Sequence, residues 1–339
     1  MKHKRQHIVP NCYLSAWLEP VPPRGQERAF WRIAKDGSGK YRRSPKKTFT
    51  ASDRYTVLLK NGERDLRVEH RLNEIETAYS GVLRRLQRKE KLSALDRAKL
   101  AIFTAAMLGR TRRRADHWKN TWESLRGHVA TFEGDGVENK ASGSLPMDGT
   151  LLPGAMPISR QILDEMLVNS HPEFLTNTIE MSAPILFAMD MSIYSTDDEL
   201  GFLTSDEPCI MQNPTAYRYH PMMRGVGLLQ RHTQVLLPLS PRLLLVFSHT
   251  PTYPYITPLT AEQTERVNRM VVHSSLEEFV SWKGQTREGW LQWDGSLPDD
   301  AYSERRSEDE HEVEVLDQPE LLDVSAYPPG HPFRRGMES

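Results

Sequence analysis

Four polar residues spread along the chain have side chains suited to chemistry on a phosphate ester: His7, Glu69, Arg110 and Asp206. Carboxylate oxygens are the ligands that Mg²⁺ and Mn²⁺ prefer, so Glu69 and Asp206 are the candidate metal ligands. His7 is the candidate base or further ligand, and Arg110 the candidate contact to a phosphate or to its transition state. This set predicts metal-dependent hydrolysis of nucleic acid or another phosphate ester.

The segment His7-Ile-Val-Pro10 predicts that the histidine enters a strand or turn and points inward. An inward histidine is either a satisfied core residue or a base or ligand. The basic neighbours Lys2, Lys4 and Arg5 suit an anionic substrate. Both interpretations stay open at this point.

Glu69 and Glu76 lie two helical turns apart, about 10.5 Å along the helix axis, which is too far for both to bind one ion. We therefore expect one of them to meet the metal or substrate and the other to pair with Arg110 on a neighbouring antiparallel helix. The alternative is a buried Glu–Arg pair that only fixes the two helices together.

Asp206 follows a predicted strand at 201–204, a position where polar groups commonly line sites. A turn closed by the Ser205-Asp206 pair explains the same residues equally well. The neighbouring run Arg112, Arg113 and Arg114 is compatible with a solvated helix face or with phosphate contacts.

Other chemistries find no support in the sequence. It contains no Walker A, GxGxxG, GxSxG or HExxH motif and no Cys/His zinc spacing. The only cysteines, Cys12 and Cys209, exclude a disulfide scaffold, and Cys12 is interpreted as a small buried thiol. Without an apolar run long enough for a membrane span or a signal peptide, we expect a cytoplasmic protein with no membrane partner.

The net charge of −1 hides a division between the two parts of the chain. Residues 1–130 hold 30 Lys and Arg against 13 Asp and Glu, whereas residues 294–339 hold 13 acids against four Arg. The basic part either binds nucleic acid or another polyanion, or is compensated internally on folding. In the first case the acidic tail either acts as a tethered competitor for the same surface or merely aids solubility.

The elements that must position these residues predict an α+β fold, with a small mixed or antiparallel sheet packed against an αα-hairpin and additional helices. An apolar stripe predicts one helix over 65–90, and Ser93 with Asp96 predicts the capped start of a second. A pair of helices is expected at 158–169 and 173–188, and a last helix after Thr260. Strands are expected at 28–34, 40–43, 55–59, 191–195, 201–204, 234–237 and 243–248.

We expect one domain over 3–285 with a flexible, Gly- and Pro-rich insert at 133–157. Residues 294–339 are acidic, contain prolines and predict a disordered tail.

A series of short motifs resembles the bacterial family called domain of unknown function 4238. In chain order they are His7-x-x-Pro10-x-x-Tyr13-Leu14, Asp53-Arg54-Tyr55-Thr56, Glu69 to Glu76, Arg110-Thr111, Thr204-Ser205-Asp206-Glu207-Pro208, Pro238-Leu239-Ser240-Pro241 and Asn268. The chain departs from the family pattern at Met107, where Gln is common, and at Glu207, where Asn is common. The resemblance implies a shared fold and a candidate polar set, and it brings no established activity. A non-catalytic binding or regulatory protein, with purely structural motifs, is therefore the alternative to an enzyme.

Overall fold

A computed structural model describes residues 5–59, 61–134, 160–219, 225–250, 256–291 and 321–322. The helices among them are α1 Asn11–Leu14, α2 Arg67–Gln87, α3 Ala94–Arg110, α4 Arg112–Gly134, α5 Arg160–Ala188, α6 Ala261–Ser274 and α7 Glu288–Leu291. The strands are β1 Arg5–His7, β2 Phe30–Ala34, β3 Lys40–Arg43, β4 Thr50–Ser52, β5 Val57–Leu58, β6 Arg64–Asp65, β7 Asp190–Ser195, β8 Thr204–Ser205, β9 Ile210–Gln212, β10 Gln234–Ser240, β11 Leu243–Ser248, β12 Ile256–Pro258 and β13 Glu278–Ser281.

The strands form separate sheets, and together with the helices they confirm the α+β class. One sheet has the order β12-β7-β11-β10-β9 and is antiparallel except for the β12–β7 pair. A second, antiparallel sheet has the order β3-β2-β13-β8. The N-terminal strands β2 and β3 thus reach the later part of the chain through β13. Two short ladders, β1–β4 and β5–β6, complete the pairing.

The αα-hairpin formed by α2 and α3 is confirmed. Ser93 caps α3 in a capping box with Asp96, as the sequence predicts. Tyr79 of α2 and Phe103 of α3 are both buried and stack with their ring centroids 3.7 Å apart. The hairpin therefore holds its two helices in a fixed register, which in turn fixes the position of Arg110 at the end of α3.

The predicted helix pair at 158–169 and 173–188 is wrong, because α5 is continuous from Arg160 to Ala188. Proline lacks the backbone N–H of a helix interior, yet Pro172 and Pro184 both lie inside α5. The helix packs closely on α3, where a Cβ added at Gly109 would lie 2.7 Å from Leu175 Cδ1. This close tertiary packing outweighs the helix-breaking preference of proline.

The predicted strand at 201–204 is also wrong in extent, since only Thr204 and Ser205 form β8. Gly201 has a φ of +65°, in the left-handed region that does not continue a strand. The Asn268 side chain takes over the hydrogen bonds of this segment by accepting from Leu203 N and donating to Gly201 O. A side chain of α6 therefore replaces a neighbouring strand here.

The N-terminal segment is anchored in the main core by two aromatic residues. The Tyr13 hydroxyl donates to Pro238 O at 2.6 Å and shares a hydrogen bond with Thr204 Oγ1 at 2.8 Å. Trp17 Nε1 donates to Phe202 O at 3.0 Å. The motifs that contain Tyr13, Thr204 and Pro238 therefore meet in the folded core.

Most of the predicted insert at 133–157 and of the predicted tail at 294–339 lies outside the described residues. Within the tail, Leu321 forms a bridge with Gln230, and Leu322 N donates to Leu229 O at 3.1 Å. Among the described helices, none is long and apolar enough to cross a membrane.

Candidate functional site

Arg110, the last residue of α3, is the centre of a polar cluster with residues from α2, α5, β1 and the turn between β4 and β5. It is 3% exposed, and each nitrogen of its guanidinium donates to a protein group. Nη1 donates to Glu76 Oε1 at 2.7 Å, Nη2 to His7 O at 2.7 Å and Nε to the Tyr55 hydroxyl at 3.3 Å. We call the six residues around this guanidinium the Arg110 cluster: His7, Arg54, Tyr55, Glu76, Arg110 and His171.

The Glu76–Arg110 pair confirms the predicted ion pair between the two helices of the hairpin. Glu76 keeps 19% of its side chain exposed, so the pair is buried from one side only. The pKa of Arg110 is raised: burial acts to lower it, but Tyr55 and Glu76 together outweigh that effect. The ion pair holds α2 to α3 next to β1.

Arg54 adds a second guanidinium to the cluster. Its Nη2 donates to Thr111 O at 2.8 Å and to Arg110 O at 3.3 Å, which satisfies carbonyl groups at the end of α3. Its Nε is buried without a hydrogen-bond partner among the described residues. Burial lowers the pKa of Arg54, although neighbouring Tyr55 opposes the shift. Arg54 therefore brings positive charge and a spare donor to the cluster.

His7 lies at the end of β1, as a strand residue that is half-buried. Its backbone oxygen accepts from Arg110 and from the Tyr55 hydroxyl at 3.2 Å. Its ring Nε2 is buried and has no partner in the described part of the chain. Burial lowers the pKa of His7, whereas a hydrogen bond with the backbone of Pro45 opposes this. The imidazole is therefore neutral near pH 7.

His171 of α5 brings a second imidazole to the same cluster. Its ring centroid lies 5.6 Å from that of Tyr55, and both ring nitrogens are buried without partners among the described residues. Burial lowers its pKa to about 3, and the positive charges of Arg54 and Arg110 add to the effect. Buried polar atoms are nearly always hydrogen-bonded in proteins, so such a ring marks a place for a ligand atom or an ordered water.

Glu69 is connected to the cluster through the residue that precedes His7. The Gln6 amide donates to Glu69 Oε2 at 3.1 Å and to Thr56 Oγ1 at 3.4 Å, while its oxygen accepts from Tyr55 N at 2.7 Å. Glu69 thus helps to order the turn that carries Arg54 and Tyr55. This contact gives Glu69 a positioning role.

Asp206 is placed at a different part of the fold. Its oxygens accept from the backbone N–H groups of Leu276, Glu277 and Glu278 at 2.8–3.1 Å. Burial raises its pKa, and these three hydrogen bonds act in the opposite direction. Asp206 therefore closes the turn between α6 and β13, whereas in its own segment Ser205 Oγ accepts from Glu207 N at 3.1 Å.

Glu207 and Cys12 also have local structural partners. Glu207 Oε1 accepts from Arg113 N at 3.1 Å, which caps the start of α4. The Cys12 thiol lies 3.8 Å from Glu76 Oε2. Burial and then the Glu76 charge raise the pKa of Cys12 to about 11, so the thiol is a poor nucleophile.

Glu69 and Asp206, the candidate metal ligands, have different partners in the described part of the chain. Their contacts lie with different elements, Glu69 with β1 and Asp206 with the turn before β13. The described residues also contain no group of three or more His, Cys, Asp or Glu side chains that could hold an ion. The cluster offers instead two guanidiniums and two neutral imidazoles, which suit an anion.

Four residues of this arrangement are missing from the sequence-based candidate set: Gln6, Arg54, Tyr55 and His171. Gln6 precedes His7, and Arg54 and Tyr55 lie within a motif, so the motifs His7-x-x-Pro10 and Asp53-Arg54-Tyr55-Thr56 contain a usable signal. His171 has no such signal, because it lies where the sequence predicted a break between two helices.

The fold and the cluster together define an α+β protein with a half-buried, cationic polar site. The chain matches the family described as protein of unknown function (DUF4238) over residues 5–282, and it belongs to that family. No curated protein and no solved structure matches the chain.

Proposed function

We propose that this protein is an enzyme that acts on a phosphate ester, with nucleic acid as the favoured substrate class. The observation that carries the proposal is that three residues of the Arg110 cluster, Arg54, His7 and His171, each have a buried side-chain nitrogen that lacks a partner among the described residues. A phosphoryl group supplies acceptor oxygens and negative charge that such a set is able to bind.

The proposal gives each residue a role that follows from its contacts. Arg54 contacts a phosphoryl oxygen through its spare Nε–H. A neutral imidazole carries one donor and one acceptor, so His171 donates to a second oxygen while it stays uncharged. Arg110 is a positioning residue, because it uses its three nitrogens on protein groups and fixes the backbone of His7.

His7 is the proposed general base. Its pKa lies below the ordinary value, so the neutral ring accepts the proton of an attacking water or ribose hydroxyl. The hydroxyl oxygen then bonds to phosphorus, the bond from phosphorus to the leaving oxygen breaks, and that oxygen takes a proton from solvent. Glu69 holds Gln6 next to the base, and the proposal gives neither Glu69 nor Asp206 a metal ion.

The test is incubation of the purified protein with mixed RNA and DNA oligonucleotides in Mg²⁺, in Mn²⁺ and in EDTA. We expect cleavage that survives EDTA and falls at least about 100-fold in His7→Ala, the scale typical of a lost general base. His70→Ala, at an exposed position of α2, is the matched control and keeps wild-type cleavage. Cleavage that requires a metal ion, or that His7→Ala retains, overturns the assignment.

The second candidate is a non-catalytic binding or regulatory protein. The observation in its favour is that Arg110, Asp206 and Asn268 each use their side chains to join separate elements. It predicts an oligonucleotide that is bound and recovered intact under every condition of the same experiment.

A further inference from the structure

The basic residues of the first 130 positions differ in how far carboxylates compensate them. On the α2–α3 hairpin several pair with carboxylates, Arg71 with Glu74 at 3.2 Å and Arg85 with Asp96 at 2.6 Å. Arg67 pairs with Asp65 in the same way. The positive charge of this region is therefore compensated in part, and Arg84 and Lys91 stay exposed.

The β2–β3 hairpin and its flanking loops keep their charge. Residues 24–47 hold nine Lys and Arg against only Glu27 and Asp36. Some of this charge is used inside the fold, since Arg32 pairs with Glu278 and Arg42 with Glu19. Of the exposed remainder, Lys40 donates to Gly284 O and Arg28 to Glu19 O. Three exposed cations without a carboxylate partner among the described residues, together with one aromatic residue, form what we call the β3 surface: Tyr41, Arg43, Lys46 and Lys47.

Arg42, which side-chain alternation places on the other face of β3 from Tyr41 and Arg43, fixes the neighbouring loop to the strand. Its guanidinium bonds to Gln26 and to Glu27 O, which holds the 24–28 loop against β3. The short 3-10 helix Pro45–Lys47 follows β3 directly and places Lys46 and Lys47 at its end. Because β3 is the edge strand of its sheet, no further strand of the described fold covers this side.

Tyr41 is the feature that selects the partner. It is 52% exposed, which is unusual for a large aromatic residue. Side chains alternate along a strand, so Tyr41 and Arg43 lie on the same face, and Arg43 stands 5.2 Å from the Tyr41 ring centroid. An exposed ring flanked by cations is how proteins bind single-stranded nucleic acid, because bases stack on the ring while the cations contact phosphates.

We propose that the β3 surface binds single-stranded nucleic acid, with a base stacked on Tyr41 and the backbone phosphates along Arg43, Lys46 and Lys47. The inference rests on the proposed function for its partner class. It adds a surface separate from the Arg110 cluster that captures the strand before any chemistry.

The test measures the binding of fluorescent oligo(dT) with a cleavage-resistant phosphorothioate backbone, by anisotropy at several salt concentrations. Charge reversal at three positions, Arg43→Glu with Lys46→Glu and Lys47→Glu, is expected to weaken binding at least about tenfold. It should also reduce the salt slope by about 2, the value for three lost phosphate contacts on a single strand. The matched control reverses Arg71, Arg84 and Lys91 of the α2–α3 hairpin region and is expected to change affinity less than about threefold.

Tyr41→Ala tests stacking separately from charge. We expect about a tenfold loss of affinity for oligo(dT) and little loss in Tyr41→Phe, which keeps the ring. Equal losses in both triple variants, or an unchanged affinity in Tyr41→Ala, overturn the proposal. Displacement by heparin or by duplex DNA as readily as by oligo(dT) also overturns it, in favour of a general polyanion surface.

Because the probe cannot be cleaved, this result is independent of the enzymatic proposal. Binding lost in the Arg43 triple variant without any nuclease activity supports the β3 surface and overturns the enzyme. Cleavage of natural RNA together with unchanged binding in the Arg43 triple variant supports the enzyme and overturns the β3 surface.

Discussion

The surroundings of Arg110 and of Asp206 differ in how completely their polar groups are satisfied. Asp206 accepts from three backbone N–H groups of one turn, and its carboxylate is committed to the protein. The Arg110 cluster satisfies its guanidinium equally well, but it leaves ring nitrogens of His7 and His171 and the Arg54 Nε without partners among the described residues. The first arrangement is typical of a turn, and the second of a site that takes a ligand.

This difference separates two kinds of residue that look alike in the sequence. Asp206, Glu207 and Asn268 hold the chain in shape by making local or inter-element hydrogen bonds. His7 and His171 carry neutral rings with buried nitrogens that lack partners among the described residues, which lowers the free energy of unfolding. The comparison predicts that substitutions of the first kind of residue lower the unfolding free energy, whereas substitutions of the second kind lower activity.

The largest effect is expected for Arg110→Met. The change leaves Glu76 without its cation and the His7 carbonyl without its donor, which costs about 3–5 kcal/mol of unfolding free energy. Chemical denaturation measures this. The control Arg71→Met removes an exposed ion pair and should cost less than about 1 kcal/mol. A loss for Arg110→Met no larger than that of the control would show that the cluster does not hold the hairpin.

Asp206→Ala should destabilise the protein by about 2 kcal/mol, since three backbone donors lose a charged acceptor. Activity per folded molecule is expected to stay at the wild-type level, because Asp206 contacts the turn before β13 and not the cluster. Unfolding curves and an assay corrected for the folded fraction measure the two quantities. A large loss of activity in well-folded Asp206→Ala would erase the distinction drawn above.

The pH dependence of stability should report His171. Its folded pKa is about 3, below the value of about 6.5 in the unfolded chain, so the unfolded state binds the proton first as the pH falls. The contribution of this group to the unfolding free energy is complete above about pH 6.5 and is lost progressively toward pH 3. The loss amounts to about 2 kcal/mol at pH 5. The measurement is the difference between wild type and His171→Phe at pH 7 and pH 5, in which the other titrating groups cancel. An equal difference at both pH values would show that His171 is not held neutral.

The smallest effect concerns the acidic tail, which stays a prediction. If the tail competes for the β3 surface, replacing the eight acids within residues 299–314 by their amides should tighten oligo(dT) binding a few-fold at low salt. Leu321 and Leu322 remain in place, so their contacts with Leu229 and Gln230 are kept. Unchanged affinity across the salt series would leave the tail with a solvating role only.

The sequence predicts the parts of this fold that local patterns determine. The α2–α3 hairpin, the Ser93 and Thr260 caps and the strand Leu243–Ser248 follow from apolar periodicity and capping residues that act within a few positions. The Glu76–Arg110 pair follows from the antiparallel arrangement of the two helices. These features need no information about distant contacts.

The remaining features depend on contacts between distant parts of the chain. The continuity of α5 through Pro172 depends on its packing against Gly109, and the end of the strand before Thr204 depends on Asn268 of α6. His171 joins the cluster only because α5 is continuous across the predicted break. The expectation that Glu69 and Asp206 bind one metal ion came from residue type alone. Residue type does not show which carboxylates accept hydrogen bonds from the backbone, as Asp206 does.

The most direct test of the central claim, that His171 is kept for a ligand rather than for the fold, is the variant His171→Phe. A phenyl ring fills nearly the same volume and removes two buried, unpartnered nitrogens, so we expect the unfolding free energy at pH 7 to stay the same or rise by about 1 kcal/mol. In the same preparation, cleavage of the oligonucleotide substrate should fall at least about 100-fold, the scale typical of a lost donor to the transition state. A variant that loses stability while its folded molecules keep wild-type cleavage would contradict the account.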